Sequence, residues 1–419
     1  MTQAQTSRVT NTAFLLLGVL LIAISLRSPI TGVGPLLEQM REQLNLSATQ
    51  AGMLTTLPLL VFAFFSPIAS KLGRQLGLEQ ALMVSLICIL LGVIARSSGS
   101  LTGLFAGTLV IGVGIAIANV LLPSLMKRDF PTKVATITSI YVLMMGIGSA
   151  LSASLAIPMM HLANSLSITI IPSWAFALGG IIIFPIIAIL IWLPQIRNHT
   201  TPTQDTLALD SHSYIWHSAA AWQLTLFLAL NSFLMYTFIS WLPTILVDVG
   251  YSHERAGVIH GLLQLFTAVP AIFMIPIMAK VKDKRPLSFG LTLLVLGSIL
   301  GFICLPSMAV LWSMMFGFGA GGGFILALTL ISIRTRDPHQ AGALSGMAQC
   351  LGYLLAASGP VLIGALHESS GSWTQPLLLC ACINVLWGIF ALFASKSEVI
   401  SPPIAREAEQ VRLESETLS

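Results

Sequence analysis

The chain has 419 residues, of which 55% are hydrophobic and 9% charged, with a formal net charge of +4 and a mean hydropathy of +0.89. A soluble domain averages about 25% charged residues, so this chain has too little polar surface to stay in water. The composition excludes a soluble protein and indicates a polytopic membrane protein.

The charged residues fall in short clusters between long uncharged stretches. No Asp, Glu, Lys or Arg occurs in 134–196, 211–247 or 286–333. A helix needs about 20 apolar residues to cross a bilayer, so the first and last stretches each have room for two helices. The sequence predicts an all-α membrane protein with twelve transmembrane helices, at 12–34, 49–69, 79–97, 101–124, 134–158, 174–194, 220–244, 257–279, 288–306, 309–332, 341–365 and 376–395.

Lys and Arg are distributed unevenly over the loops between these spans. With the N-terminus inside, 16 of the 20 Lys and Arg residues lie on the cytoplasmic side, and the other four are Arg27, Arg41, Arg96 and Arg255. Because Lys and Arg favour cytoplasmic loops, both termini are expected in the cytoplasm. Arg96 falls at an outer helix end, which leaves Arg27 as the one cation inside a span.

Arg27 lies 15 residues into the first span and has no adjacent carboxylate. An Arg at the centre of a membrane helix costs about 2.5–3.5 kcal/mol on insertion scales. One interpretation is that Arg27 binds an anion or an electronegative group in a water-filled cavity. The other is that Arg27 caps helix carbonyls freed by Pro29.

Further polar residues inside the spans are candidates for solute contacts. His260 and Gln264 share one helical face, as do Gln349 and Tyr353. Interhelical hydrogen bonding is the alternative for each of them, and Asn119 is interpreted as a helix-packing residue. The candidates are Tyr141 in the fifth span, Asn231 and Tyr236 in the seventh, His260 and Gln264 in the eighth, and Gln349 and Tyr353 in the eleventh.

The polar stretch after residue 197 divides the chain into two similar halves. The pattern S-x-x-x-A-G begins at Ser47 in the first half and at Ser252 in the second, and each Ser is a plausible helix N-cap. The pair Arg128-Asp129 is matched by Arg336-Asp337. The predicted organisation is two six-helix bundles in pseudo-symmetric repeat, at 1–196 and 220–396, with a cytoplasmic linker at 197–219 and a disordered tail at 397–419.

Four blocks carry a resemblance to a known family: "LTTLPLL" at 54–60, "NVLLPSLMKRDFP" at 119–131, "HGLLQLFTAVP" at 260–270 and "AGALSGMAQCLGYLLAASGP" at 341–360. On these blocks the chain resembles the cyanate and 2-nitroimidazole transporter branch of the major facilitator superfamily. The resemblance implies a multi-pass protein of a bacterial inner membrane that moves cyanate or a nitroimidazole-like compound.

One loop departs from the pattern of the superfamily. The usual G-x-L-a-D-R-x-G-R-R is replaced by "SKLGRQLGLEQ" at 70–80, with Arg74 where the aspartate belongs. The gate usually held by that aspartate therefore needs other partners. Asp129 and Asp337 are the gating candidates, paired with Arg74, Lys71 or Lys133.

The expected function is a secondary transporter that binds a small polar or anionic solute between its halves and works by alternating access. Neither a catalytic triad, paired carboxylates nor metal-ligand spacings occur in the spans, so neither an enzyme nor a cofactor is expected. The expected partners are the solute and the bilayer, without nucleic acid. The protein is expected to be a monomer. A broad-specificity drug-efflux carrier, a channel and a non-transporting receptor are the alternatives. Direction and energy coupling stay open, and a coupled proton would have to use His260 or an acid at a loop edge.

Overall fold

The structure, a computed structural model, describes residues 12–46, 48–167, 170–197, 215–396 and 400. Within these residues the chain is almost entirely α-helical. The helices are α1 (Thr12–Thr31), α2 (Leu37–Leu44), α3 (Ala48–Leu76), α4 (Leu78–Arg96), α5 (Leu101–Asp129), α6 (Val134–Ser165), α7 (Ser173–Gly179), α8 (Ile183–Trp192), α9 (Ala219–Asp248), α10 (His253–Ala268), α11 (Pro270–Lys280), α12 (Arg285–Cys304), α13 (Ala309–Ile333), α14 (Pro338–Ser370) and α15 (Thr374–Ala394).

Twelve segments of the described chain are long and apolar enough to cross a membrane, which confirms the predicted membrane fold. Two predicted spans each consist of two helices. The sixth contains α7 and α8, joined by a 3-10 turn at Gly180–Ile182. The eighth contains α10 and α11, which meet at Val269 immediately before Pro270. A proline is tolerated in the first turn of a helix, where its missing N–H is not needed.

The predicted end of the fifth span at residue 158 is wrong, because α6 continues through Pro158 to Ser165. A proline removes one helical hydrogen bond and bends a helix. In a membrane span, neighbouring groups satisfy the freed carbonyl, so the helix need not end there. The uncharged residues after Pro158 extend α6 by two turns.

One of the two predicted N-caps can be checked. The Ser252 hydroxyl accepts a hydrogen bond from the Arg255 backbone N–H at 3.3 Å, so Ser252 caps α10 as predicted. Ser47 lies outside the described residues, as do 198–214 of the predicted linker and all of the predicted tail except Ile400.

The chain divides into two compact units. The first contains Met1–Leu122 and Ser139–Pro202, and the second contains Pro123–Thr138 and Thr203–Ser419. The division falls inside α5 and α6. The last turns of α5 and the first turns of α6 therefore belong to the second unit, although they come from the first half of the sequence.

In the first unit, glycines bring α4 and α5 into backbone contact. A Cβ atom added at Gly92 would lie 2.7 Å from the Ile111 backbone nitrogen, and one added at Gly114 would lie 2.6 Å from the Ser85 carbonyl oxygen. The Ser85 hydroxyl donates to the Gly114 carbonyl at 2.7 Å. Small residues permit such close approach in membrane proteins, and this crossing fixes the position of Arg96 at the end of α4.

In the second unit, α9 packs against both α14 and α15, and α13 packs against α10 and α12. Glycines again allow the contacts: a Cβ atom at Gly317 or Gly321 would collide with backbone carbonyls of α10. α9, which carries Asn231 and Tyr236, thus packs directly on both α10 and α14.

Candidate functional site

Arg27 lies near the C-terminal end of α1 and is half-buried. Among the described residues, its guanidinium has neither a hydrogen-bond acceptor nor an ion-pair partner, although its charge acts on the Tyr141 hydroxyl. A cation inside a membrane span usually has a protein partner or faces a water-filled cavity. Arg27 lacks the first of these among the described residues, which keeps it a candidate for solute binding.

The hydroxyl of Tyr141, on α6, interacts electrostatically with the Arg27 guanidinium. Its side chain is 2% exposed, and its hydroxyl donates a hydrogen bond to Asn119 Oδ1 of α5 at 3.1 Å. The bond fixes the orientation of the phenol and turns an oxygen lone pair away from Asn119. Because this hydrogen bond joins α6 to α5, Asn119 is a helix-packing residue as predicted, and its partner is Tyr141.

Arg96, the last residue of α4, also belongs to this region. The sequence placed it at an outer helix end, but in the structure it is 0% exposed. Its Nη1 donates a hydrogen bond to the Pro29 carbonyl of α1 at 2.5 Å. The helix crossing with α5 brings Arg96 against the end of α1, where it holds the carbonyl of Pro29 itself. The carbonyl that Pro29 frees is that of Ser25, one turn earlier, so the capping interpretation of Arg27 stays a prediction.

The end of α1 is also held by α6. Ser152 Oγ donates to the Ser28 carbonyl at 2.6 Å, and Thr31 Oγ1 is 3.2 Å from the Ser149 carbonyl. α6 thus holds the turn of α1 from which Arg27 projects, by donating to one α1 carbonyl and by accepting from one α1 hydroxyl.

In the second unit, His260 and Gln264 of α10 are placed differently from each other. His260 is hydrogen-bonded to the Ile239 backbone of α9, while its Nε2 atom is buried without a partner in the described chain. The Gln264 side chain is half-buried, and its amide has no hydrogen-bond partner among the described residues. The two residues thus differ in burial of their unpartnered polar atoms, and both stay candidates for solute contacts.

The two candidates on α9 also differ. Asn231 is 3% exposed, and its Oδ1 would lie 2.8 Å from a Cβ atom added at Gly323 of α13, so it is packed between helices. Tyr236 is half-buried, and its hydroxyl has no partner in the part of the chain that the structure describes. Tyr236 resembles Gln264 in this respect.

The candidates on α14 are both buried. Gln349 Nε2 donates to Ser345 Oγ at 2.9 Å, one turn earlier on the same helix. Tyr353, one turn later, is 8% exposed. Both residues are thus buried on α14, which packs on α9.

Each predicted gating residue has a contact close to it in sequence. Arg74 Nη1 donates to Ser70 Oγ at 3.2 Å. Asp129 accepts two hydrogen bonds from its neighbour Arg128, at 2.9 and 2.7 Å. Asp337 is the N-cap of α14, where its Oδ1 accepts from the Gln340 backbone N–H at 2.8 Å.

Lys127 makes the longer-range contact that the sequence did not predict. Its Nζ donates to the Ser332 carbonyl at 2.9 Å and to the Thr335 carbonyl, at the C-terminal end of α13. The charge of Asp337 also acts on Lys127. A cation at a helix C-terminus is favoured by the helix dipole, so Lys127 joins the end of α5 to the end of α13.

The sequence profile of the Major Facilitator Superfamily matches residues 15–360. The chain belongs to this family. It is 43% identical over 390 residues to the 2-nitroimidazole transporter of Escherichia coli strain K12, an alignment that covers 93% of this chain and 97% of that protein. It is 27% identical over 361 residues to the cyanate transport protein of the same strain, with coverage of 86% and 91%.

A solved major facilitator structure shows the same fold. The fucose:proton symporter of E. coli matches with a TM-score of 0.73 at 12% identity, over 92% of this chain and 99% of the symporter. These relatives confirm the resemblance predicted from the sequence. The protein is a multi-pass membrane transporter and not an enzyme.

For this major facilitator protein, the sequence did not predict the contacts of Arg96 and Lys127 or the partner of Asn119. Arg96 and Lys127 stand at predicted span ends, where a cation normally reaches water. Only for Arg96 does the sequence contain a hint. Gly92 and Gly107 indicate that α4 and α5 cross closely, and such a crossing excludes water from Arg96. Asn119 is separated from Tyr141 by 22 residues, and only the antiparallel packing of α5 on α6 brings them together.

Proposed function

We propose that this protein is a secondary transporter that moves a small polar or anionic solute across the membrane by alternating access. Arg27 carries the proposal, because it is a cation inside a span to which the described chain offers no hydrogen-bond or ion-pair partner. Ionisable residues inside membrane spans mark solute and ion pathways. The Arg27 guanidinium is therefore assigned to the solute.

The chemistry of a guanidinium limits the class of solute. Arg presents a planar fork of N–H donors that suits a group with two coplanar oxygens or a negative charge. A nitro group on a heterocycle has the two oxygens, and the cyanate anion has the charge. The names of the two E. coli relatives, a 2-nitroimidazole transporter and a cyanate transport protein, support this class.

Other residues are assigned by whether their polar atoms are available. In the first unit, the Tyr141–Asn119 pair supplies fixed polar groups next to Arg27. In the second unit, Gln264 and Tyr236 have unpartnered side-chain polar atoms among the described residues, so we assign them to direct solute contacts. The Tyr236 ring offers a face on which a flat heterocycle can stack.

We further propose that the protein lies in a bacterial inner membrane with both termini in the cytoplasm. The distribution of Lys and Arg supports this orientation, since 16 of the 20 fall on one side of the twelve spans. The His260 ring, with its buried Nε2 atom, is the proposed carrier of a proton if transport is proton-coupled.

Uptake into proteoliposomes tests the proposal. The purified protein is reconstituted, and the initial rates for labelled 2-nitroimidazole and labelled cyanate are measured in separate arms. The variants are Arg27→Gln and Arg27→Lys, with Arg255→Gln as the matched control because Arg255 is exposed and lies over the Tyr251 ring. Loss of a charge-assisted hydrogen bond costs about 1.5–3 kcal/mol, which corresponds to roughly a 10- to 150-fold loss of affinity.

We expect Arg27→Gln to reduce uptake of the transported solute at least about 10-fold, Arg27→Lys to reduce it less, and Arg255→Gln to leave it unchanged. Equal uptake by wild type and Arg27→Gln would refute the assignment of Arg27. Uptake of neither compound, together with transport of several unrelated drugs, would instead make the protein a broad-specificity efflux carrier.

A further inference from the structure

Arg96 is a fully buried cation that is incompletely satisfied. Of its three guanidinium nitrogens, Nη1 donates to the Pro29 carbonyl at 2.5 Å. Nε and Nη2 are buried and have no hydrogen-bond partner among the described residues. A buried Arg normally has a carboxylate or a full set of acceptors. Stability alone does not account for this residue, since a well-packed apolar side chain often replaces a buried charge at no loss.

The acceptor that Arg96 does contact lies two residues beyond Arg27. Successive residues of an α-helix are separated by about 100° and 1.5 Å, so Arg27 and Pro29 project to roughly opposite sides of α1. Arg96 accordingly holds the buried side of α1 while Arg27, half-buried, projects from the other side. A shift of the Pro29 turn would therefore move Arg27.

We propose that Arg96 is a positioning residue for Arg27. By holding the Pro29 carbonyl it fixes the turn from which Arg27 projects, and its unneutralised charge adds to the positive potential that an anionic or nitro-bearing solute meets there. The inference rests on the proposed role of Arg27 in solute binding. It assigns the incomplete hydrogen bonding of Arg96 to function, because a carboxylate partner would cancel the potential.

The chain contains a matched control for this contact. Arg334 is 4% exposed, and its Nη1 donates to the Ala394 carbonyl at the C-terminal end of α15 at 2.6 Å. Arg334 thus makes the same kind of contact in the second unit. A purely structural role predicts similar consequences for Arg96→Met and Arg334→Met, whereas a positioning role predicts that only Arg96→Met affects solute binding.

The first test is a double-mutant cycle on binding affinity, measured with 2-nitroimidazole and with cyanate on the purified protein. The variants are Arg96→Met, Arg96→Lys and Arg334→Met, each alone and with Arg27→Lys, and the melting temperature is recorded for each. We expect Arg96→Met to weaken binding about 10-fold in the wild-type background and less than about 2-fold beside Arg27→Lys, because coupled residues are non-additive. Arg96→Lys retains the charge and is expected to fall between wild type and Arg96→Met.

Arg334→Met is expected to leave affinity unchanged, and Arg96→Met to melt no lower than Arg334→Met. Equal losses of affinity from Arg96→Met in both backgrounds, or no loss at all, would overturn the positioning role. If Arg27→Lys and Arg27→Gln both leave affinity unchanged, the proposed function fails, whatever Arg96 does.

The second test does not depend on the identity of the solute. In a background without the five native cysteines, Arg27→Cys is labelled with an anionic and with a cationic methanethiosulfonate reagent, with and without Arg96→Met. Removal of one positive charge in a medium of low dielectric constant should lower the ratio of the anionic to the cationic rate at least about 3-fold. A general loosening of the structure would change both rates alike, and an unchanged ratio would refute the electrostatic part of the proposal.

Discussion

Arg27 and Arg96 both lie close to Pro29, and they meet opposite environments. Arg96 is completely buried and has an acceptor in the Pro29 carbonyl, whereas Arg27 is half-buried and has no acceptor in the described chain. In a protein with few intramembrane carboxylates, a cation can be held by the negative end of a neighbouring helix. An Arg that lacks such an end is the candidate for solute binding in our proposal.

The same distinction extends to other polar residues. Lys127 and Arg334 contact the C-terminal carbonyls of α13 and α15, in the manner of Arg96. Tyr141 has Asn119 as a partner, whereas the hydroxyl of Tyr236 has none among the described residues. Residues of the first kind hold helices in place, and residues of the second kind are candidates for solute contacts. The predictions below test that division.

The largest loss of stability is expected for a substitution at the α4–α5 crossing, which fixes the position of Arg96. A Cβ atom at Gly107 would collide with the Arg96 backbone nitrogen and would lie 2.6 Å from the Gly92 carbonyl oxygen. Because both atoms are backbone, α4 and α5 must separate, and we expect Gly107→Ala to cost about 3 kcal/mol, at the upper end for overpacking. Thermal unfolding in detergent measures the loss of stability. The same separation of α4 and α5 would displace Arg96 from Pro29.

Gly261→Ala is the control for that substitution, because a Cβ atom at Gly261 of α10 meets nothing within 4 Å. Alanine in a helix interior is favoured over glycine by about 0.5–1 kcal/mol, so Gly261→Ala should melt at the same temperature or slightly higher. A Gly107→Ala protein that melts like wild type would show that the crossing does not hold Arg96.

The sequence was sufficient for the fold but not for this division of polar residues. Long uncharged stretches and charge clusters predict the twelve spans because the bilayer imposes a length on each helix. The partners of Arg96 and Lys127 could not be predicted, because they are backbone carbonyls of distant helices, and every residue has a carbonyl. Such a partner leaves no mark in the side-chain sequence, unlike a carboxylate.

A smaller effect is expected for Lys127. Lys127→Met removes the hydrogen bonds to the Ser332 and Thr335 carbonyls, and a bond to a charged donor contributes about 1.5–3 kcal/mol. The apolar stem of Met retains part of the packing, so we expect a loss of about 2 kcal/mol in the free energy of unfolding. Lys71→Met is the control, because Lys71 is exposed. Equal melting temperatures for the two variants would show that the Lys127 hydrogen bonds do not stabilise the fold.

The smallest effect is expected for a single hydroxyl. Tyr141→Phe removes the 3.1 Å hydrogen bond to Asn119 and leaves the buried amide oxygen without that donor, which costs about 1 kcal/mol. Thermal unfolding measures this loss.

Tyr236→Phe is the control, because it removes a hydroxyl that has no partner in the described chain. The melting temperature of this variant should match that of wild type. In transport we expect Tyr236→Phe to have the larger effect if Tyr236 contacts the solute directly. A hydroxyl that contributes nothing to the fold can still hydrogen-bond the solute. Tyr236→Phe should therefore raise KM without a change in melting temperature. A Tyr236→Phe protein with lowered stability and unchanged KM would contradict the assignment, since its hydroxyl would then belong with that of Tyr141.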